Sequence, residues 1–270
     1  MDWITGERFK QLADFCYSPT EKLPGDYDHL VNTFDGEVFK LKNIIYTHTM
    51  YVQSLFNRIA GIDTEFIVLT HNSDINVEKG YNIPRNVRKW FSTNVNYVDP
   101  ILKSIPIGLE NERWFPELRK KEKMIKKLTS IRKQINLVYM NHNLGTNYEK
   151  RIIPQRLFEN KSWVTTVNGE NGKGFDEYLD NIYNHPFVIC PDGNGIDTHR
   201  LWEVLYMGNI PIVKCGVNHS FYMDLPILCV NDWEEVTEPY LKEMNIQMHG
   251  RKWNWSKLTF EYWKQKIQQA

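Results

Sequence analysis

Phe187-Val-Ile-Cys-Pro-Asp-Gly-Asn-Gly-Ile-Asp-Thr-His-Arg-Leu-Trp-Glu-Val-Leu-Tyr-Met-Gly-Asn-Ile-Pro-Ile-Val213 reads as a strand, a glycine-bearing loop, a helix and a second strand. In open α/β sheets, ligands bind beyond the carboxyl ends of the strands. That rule points to the loop Asp192, Gly193, Asn194 and Gly195. Two glycines there let backbone come close to a ligand. The helix start at Asp197 and Thr198 offers free N–H groups and a partial positive charge, suited to a diphosphate. The same two residues are also ordinary N-caps. Along the helix, Leu201, Val204, Leu205 and Gly208 form a stripe at i, i+3, i+4 and i+7. Arg200 and Glu203 fall off that stripe, one turn apart. They read equally as an i,i+3 ion pair or as a diphosphate cation and a ribose acceptor.

Outward from this segment, short apolar runs alternate with amphipathic stretches, the pattern of parallel sheets covered by helices. Strands are expected at Asn43 to Thr47, Glu65 to Thr70 and Lys103 to Ile107, with a helix through Tyr51, Leu55 and Ile59 that stops at Gly61. Arg85 to Phe91 is read as a short helix. The stretch Glu117 to Ser130 is strongly basic, and a solvated helix or connector is the favoured reading over a nucleic-acid patch. Strands resume at Ile135 to Met140, Trp163 to Val167, Pro186 to Cys190, Ile210 to Val213 and Pro226 to Val230. Helices are expected through Gln155 to Phe158 and Phe175 to Tyr183, and the tail from Trp253 to Gln269 is helical in pattern. Two α/β halves therefore meet near residue 130: residues 1–130, then 131–250, then a helix over 251–270 packing back on the first half.

Asp197-x-x-Arg200-x-x-Glu203-x-x-x-x-Gly208-x-Ile210-Pro211-Ile212 resembles the donor-site signature of the exostosin-like glycosyltransferases. Trp90-Phe91-Ser92-x-Asn94 and Ser104-Ile105-Pro106-Ile107-Gly108-Leu109 are similar to the N-domain end of the same family. The resemblance spans roughly residues 40 to 230. It implies the GT-B fold, two facing Rossmann-like domains with a C-terminal return helix. It also implies an inverting transfer from a nucleotide-diphosphate sugar, UDP-linked, to a glycan hydroxyl. It favours donor binding over the ion pair for Arg200 and Glu203. The chain is short for that family and resembles its stripped catalytic core. In that frame, Asn141, Asn143 and Arg151 follow the first strand of the second domain and face the diphosphate or the donor sugar. Val167 and Asn168 fall where the nucleotide base rests. A polar turn and a plain surface loop are the competing readings of these two stretches.

Composition narrows the field. The 270 residues carry 33 basic and 33 acidic side chains, so bulk electrostatic binding of nucleic acid is not expected. The 8 His show neither HExxH nor paired spacing, and Asp-x-Asp is absent, so no metal or other obligatory cofactor is expected. No apolar run approaches the roughly 20 residues of a membrane span. The opening residues lack a signal-peptide pattern, and reduced, inert thiols are favoured for Cys190 and Cys229. A cytoplasmic location is the expectation. Oligomeric state is not legible.

An inverting transfer needs a base on the face opposite the leaving group. The strand ends Thr47-His48 and Thr70-His71-Asn72-Ser73-Asp74 offer candidates in the first half. Asp74 ranks first because it lies farthest past its strand, followed by His71 and His48. Ser73-Asp74 is equally an ordinary turn pair. The alternative function is a non-catalytic nucleotide- or carbohydrate-binding protein of the same fold. A phosphorylase or epimerase is disfavoured, because its larger substrate domains would not fit the chain.

Overall fold

The computed structural model describes residues 1–19, 42–114, 116, 119–167 and 174–270. Contacts divide the chain into two compact units, each built on a parallel sheet of five strands. Met1–Leu109, Gly195–Asp197 and Ser256–Ala270 form the first; Glu110–Asn194 and Thr198–Trp255 form the second.

The first unit contains α1 (Gly6–Lys10), β1 (Phe15–Tyr17), β2 (Lys42–Thr47), α2 (Val52–Ile59), β3 (Glu65–Thr70), β4 (Val87–Ser92) and β5 (Leu102–Ser104). Its strands lie side by side in chain order. Val52, Leu55, Phe56 and Ile59 bury one face of α2. Gly61, at φ 82°, takes the left-handed turn beyond the helix end.

Residues 87–92 are a strand, not the short helix expected over Arg85 to Phe91. Charges at the strand's start hide its character. Arg88 donates to Glu65 on β3 at 3.1 Å, and the Lys89 ammonium donates to the Pro100 carbonyl at 2.9 Å. The register also shifts, so that Phe66 faces Val87 and Ile67 faces Lys89, leaving Arg88 as the extra residue of a bulge. Farther along, Trp90 is fully buried against Phe56, edge to face at 5.3 Å. Its indole N–H donates to Thr70 Oγ1 at 2.8 Å, and Thr70 bonds the Ser92 hydroxyl at 2.6 Å. This buried polar chain fixes the carboxyl ends of β3 and β4, where the loop His71 to Asp74 begins.

The chain leaves the first unit at Leu109, ahead of the junction expected near residue 130. The basic stretch forms α3 (Lys120–Leu128). It belongs to the second unit because Lys123 and Lys127 pair with Asp176 and Asp180 there. Then follow β6 (Val138–Met140), α4 (Tyr148–Phe158), β7 (Val164–Thr166), α5 (Phe175–Asn184), β8 (Phe187–Ile189), α6 (His199–Tyr206), β9 (Ile210–Lys214), α7 (Val217–Ser220), β10 (Leu228–Val230) and α8 (Glu238–His249). The sheet order is β10-β9-β8-β6-β7. The chain steps outward from β6 to β7 and then returns to the other side of β6 at β8. That reversal is a topological switch point, and it opens a crevice between the ends of β6 and β8. Val138, Met140, Phe187, Ile189 and Ile212 form the core beneath it, with Trp233, Leu241 and Met248 packed on the sheet.

The tail is shorter as a helix than its pattern suggested. Trp255–Leu258 is a 3₁₀ turn, and the helix α9 (Phe260–Gln268) starts only after Thr259, whose hydroxyl accepts from the Tyr262 amide. α9 lies in the first unit. The Phe260 and Glu261 amides donate to the Asp2 carbonyl and carboxylate, and the Phe260 ring meets Phe9 at 5.3 Å. Cys190 is buried and free, as read from the sequence. Cys229 of β10 instead forms a disulfide with Cys215, which follows β9 on the neighbouring strand. Among the described residues, no helix is long and apolar enough to cross a membrane.

Candidate functional site

The loops that border the crevice at the switch point are tied together by side chains of the second unit. Arg151, buried on α4, donates from Nε to the Asp192 carbonyl at 2.9 Å and from Nη1 to the Asn143 carbonyl at 2.8 Å. It thereby ties the loop after β6 to the loop after β8. One turn earlier, the Asn147 amide donates to the Gly193 carbonyl at 2.7 Å, while its Oδ1 caps α4. Asn143 uses its side chain locally, accepting from the Gly145 amide at 2.8 Å.

Arg200 and Glu203 stand on α6 in the same unit, and both meet Tyr178. Glu203 is buried; it accepts from the Tyr178 hydroxyl at 2.6 Å, and the Lys120 ammonium lies 3.8 Å away. The guanidinium carbon of Arg200 lies 5.9 Å from the centre of the Tyr178 ring, and its Nε is buried without a protein partner. The simple i,i+3 pair is thus replaced by a cluster around Tyr178. Burial works against the Arg200 charge, but Tyr178, Cys190 and Glu203 together hold its pKa above the ordinary value. Arg151 goes the other way: burial, then repulsion from Arg200, brings it down to about 10. The two guanidiniums repel each other, and each also feels a carboxylate, Glu203 for Arg200 and Asp192 for Arg151.

Several buried polar groups of the second unit have no protein partner. His142 is buried, and its Nε2 donates to the Arg151 carbonyl at 3.1 Å. Its Nδ1 is left as a buried lone pair without a partner. Burial first, then the Arg200 charge, pushes His142 down to about 4. The Tyr139 hydroxyl lies near the side chains of Asn141 and Asn181 but closes a well-formed bond to neither. Burial raises it to about 12, so it stays a neutral donor. Thr166 Oγ1, at the end of β7, is likewise buried and unpartnered. Burial raises the Asp192 carboxyl, against the pull of Lys150 and Arg151. Cys190 is pushed by burial to about 12, an inert thiol.

Other expected site residues have different surroundings. Asp197 belongs to the first unit. Its carboxylate accepts from the Ile107 amide at 2.7 Å, and its own amide donates to Asn94 at 2.8 Å. A Cβ on Gly195 would lie 2.7 Å from the Asn94 side chain, so this glycine makes room for protein rather than for ligand. Thr198 sits at the N-cap of α6 without a side-chain capping bond, and Asn194 is exposed. The Val167 amide donates to the Met140 carbonyl at 3.0 Å; Asn168 lies outside the described residues. Tyr139, His142, Asn147, Tyr178 and Lys120 were not singled out from the sequence. Only the fold brings them to Arg151, Arg200 and Glu203.

In the first unit, His71 is sealed in. Its Nε2 donates to the Pro106 carbonyl at 3.0 Å, its Nδ1 accepts from the Asn72 amide at 2.7 Å, and its ring stacks on Phe9. His48 Nδ1 accepts from the Met50 amide at 3.3 Å. Burial lowers the His48 pKa, against the backbone of Asn72 and the charge of Asp74. Asp74 is exposed. Among the described residues, no group of three or more His, Cys, Asp or Glu could hold a metal ion.

The buried histidines carry a pH prediction. His142 and His219, both buried, are held at about 4 in the fold by desolvation, against the ordinary histidine value of 6.5. The unfolded chain therefore binds more protons between these values. Stability present above about pH 6.5 should be lost as pH falls towards 4. The melting temperature should drop by roughly 5–10 °C between pH 7 and pH 5. His142→Asn should flatten the slope, and a melting temperature constant over that range would overturn the assignment.

No family model matches the chain. It is similar to ribitol-5-phosphate xylosyltransferase 1 of Mus musculus, 22% identical over 173 residues, which cover 54% of this chain and 37% of that protein. The chain thus spans well under half the length of the curated relative it matches. The similarity supports a distant relationship to a glycosyltransferase.

Proposed function

We propose that the chain transfers a sugar from a nucleotide-diphosphate donor, UDP-linked, to a glycan hydroxyl with inversion, on a GT-B framework. The observation that carries this is the switch point of the second unit's sheet, where Arg151 bridges the loops after β6 and β8, together with the buried Arg200 Nε that has no protein partner. A diphosphate accepts from the unpartnered Arg200 Nε, and the N-terminus of α6 adds N–H donors. Glu203, oriented by Tyr178, accepts from the ribose hydroxyls. His142 Nδ1 and the Tyr139 hydroxyl offer one further acceptor and one donor to donor hydroxyls. Val167 and the residues after it are assigned to the base. The name of the mouse relative favours a pentose as the sugar. Fixed cations and helix N–H groups stabilise the departing diphosphate, so the reading requires no metal.

Glu203→Ala should cost about 1.5–3 kcal/mol of nucleotide affinity, the scale of a hydrogen bond to a charged group. Free UDP and UDP-sugar should weaken in parallel, because ribose is common to both. Unchanged UDP binding by calorimetry in a folded variant would remove Glu203 from the donor site.

A further inference from the structure

A pocket of about 390 Å³ opens at the opposite end of the second unit's sheet. It is lined by residues just ahead of the strands, Pro186 before β8, Asn209 before β9 and Pro226 before β10. In a parallel sheet these ends lie away from Asn143 and Asp192, which follow β6 and β8. The donor reading uses none of the lining residues. The volume falls within the range of about 300–1,000 Å³ usual for small-molecule sites.

The lining has a consistent chemistry. No aspartate or glutamate is among it, while Arg132 and Arg251 both are. Arg132 is fixed in place, donating to Asn209 Oδ1 at 2.7 Å and to the Met207 carbonyl at 2.8 Å, over the Tyr183 ring. Trp253 is anchored by its indole N–H on the Met248 carbonyl at 2.9 Å, and Arg251 lies 5.9 Å from the centre of its ring. Trp255 is 49% exposed at the pocket wall. Asn245 Oδ1 is buried there without a partner. Aromatic faces pack on the C–H faces of sugars, amides take hydroxyls, and arginines hold an acidic group.

We propose that this pocket binds an acidic saccharide, a sugar ring bearing a phosphate monoester or a carboxylate, at a site separate from the nucleotide donor. Asn245 Oδ1 accepts from a sugar hydroxyl, Trp255 covers the ring, and Arg132 with Arg251 holds the acid. Calorimetry with glucose 6-phosphate, glucuronic acid, glucose and inorganic phosphate tests this. At least one acidic sugar should bind about tenfold tighter than both glucose and phosphate. The better of the two acidic sugars distinguishes a phosphate from a carboxylate ligand. Arg251→Gln and Trp255→Ala, both at exposed side chains, should each weaken that binding about tenfold and leave UDP affinity unchanged. Glu203→Ala should leave it intact, so failure of the donor reading would not touch this result. Neither acidic sugar exceeding both glucose and inorganic phosphate, or binding unchanged in both variants, would overturn the proposal.

Discussion

Arg200→Lys should lower turnover by about 10²–10³-fold at saturating donor, the range found when one preorganised donor to a developing anion is removed. Lysine keeps the positive charge, so ground-state attraction for the donor survives in part. It lacks the planar fork that meets two oxygens at once. Negative charge on the diphosphate grows as the glycosidic bond breaks, so the loss belongs in turnover more than in affinity. Arg151 does not replace the lost fork, because its Nε and Nη1 are already held by the carbonyls of Asp192 and Asn143. If turnover holds within a few-fold and only the melting temperature falls, Arg200 is a structural cation of the Tyr178 cluster.

Much of the architecture was legible because apolar runs survive in isolation. Glu65 to Thr70 and Phe187 to Ile189 are strands within the apolar runs read as strands at Glu65 to Thr70 and Pro186 to Cys190. Residues 87–92 were not legible as a strand, because Arg88 and Lys89 find their partners only in the folded protein. The site was legible in its cations and opaque in its partners. Arg200 and Glu203 stood out by spacing, but Tyr178 lies 25 residues from Glu203, and nothing local joins them. Asp197 illustrates the reverse. It shares a motif with Arg200 and Glu203, yet its carboxylate is held by Ile107, 90 residues away. A sequence motif records proximity along the chain, and here one motif contributes residues to two units.

Asp74→Asn should leave UDP affinity intact and reduce sugar transfer by about 10²–10⁴-fold, the usual contribution of a positioned base. In the inverting reading, the acceptor hydroxyl loses its proton to a base, and Asp74 is proposed for that role. Both ring nitrogens of His71 are engaged by backbone groups inside the fold, so it has no lone pair to offer. His48 gives its Nδ1 to the Met50 amide and leans on the Asn72 backbone. The exposed carboxylate of Asp74 is the remaining candidate. Asparagine keeps shape and hydrogen bonding while removing the basic oxygen. The variant has a second readout that does not depend on catalysis. Asp74 works against the burial that lowers His48, so its neutralisation should move the His48 titration, followed by NMR, to still lower pH. A shifted His48 with near-normal transfer would show that Asp74 is in place and is not the base. The role would then pass to His48, whose imidazole would have to leave the Met50 amide to act.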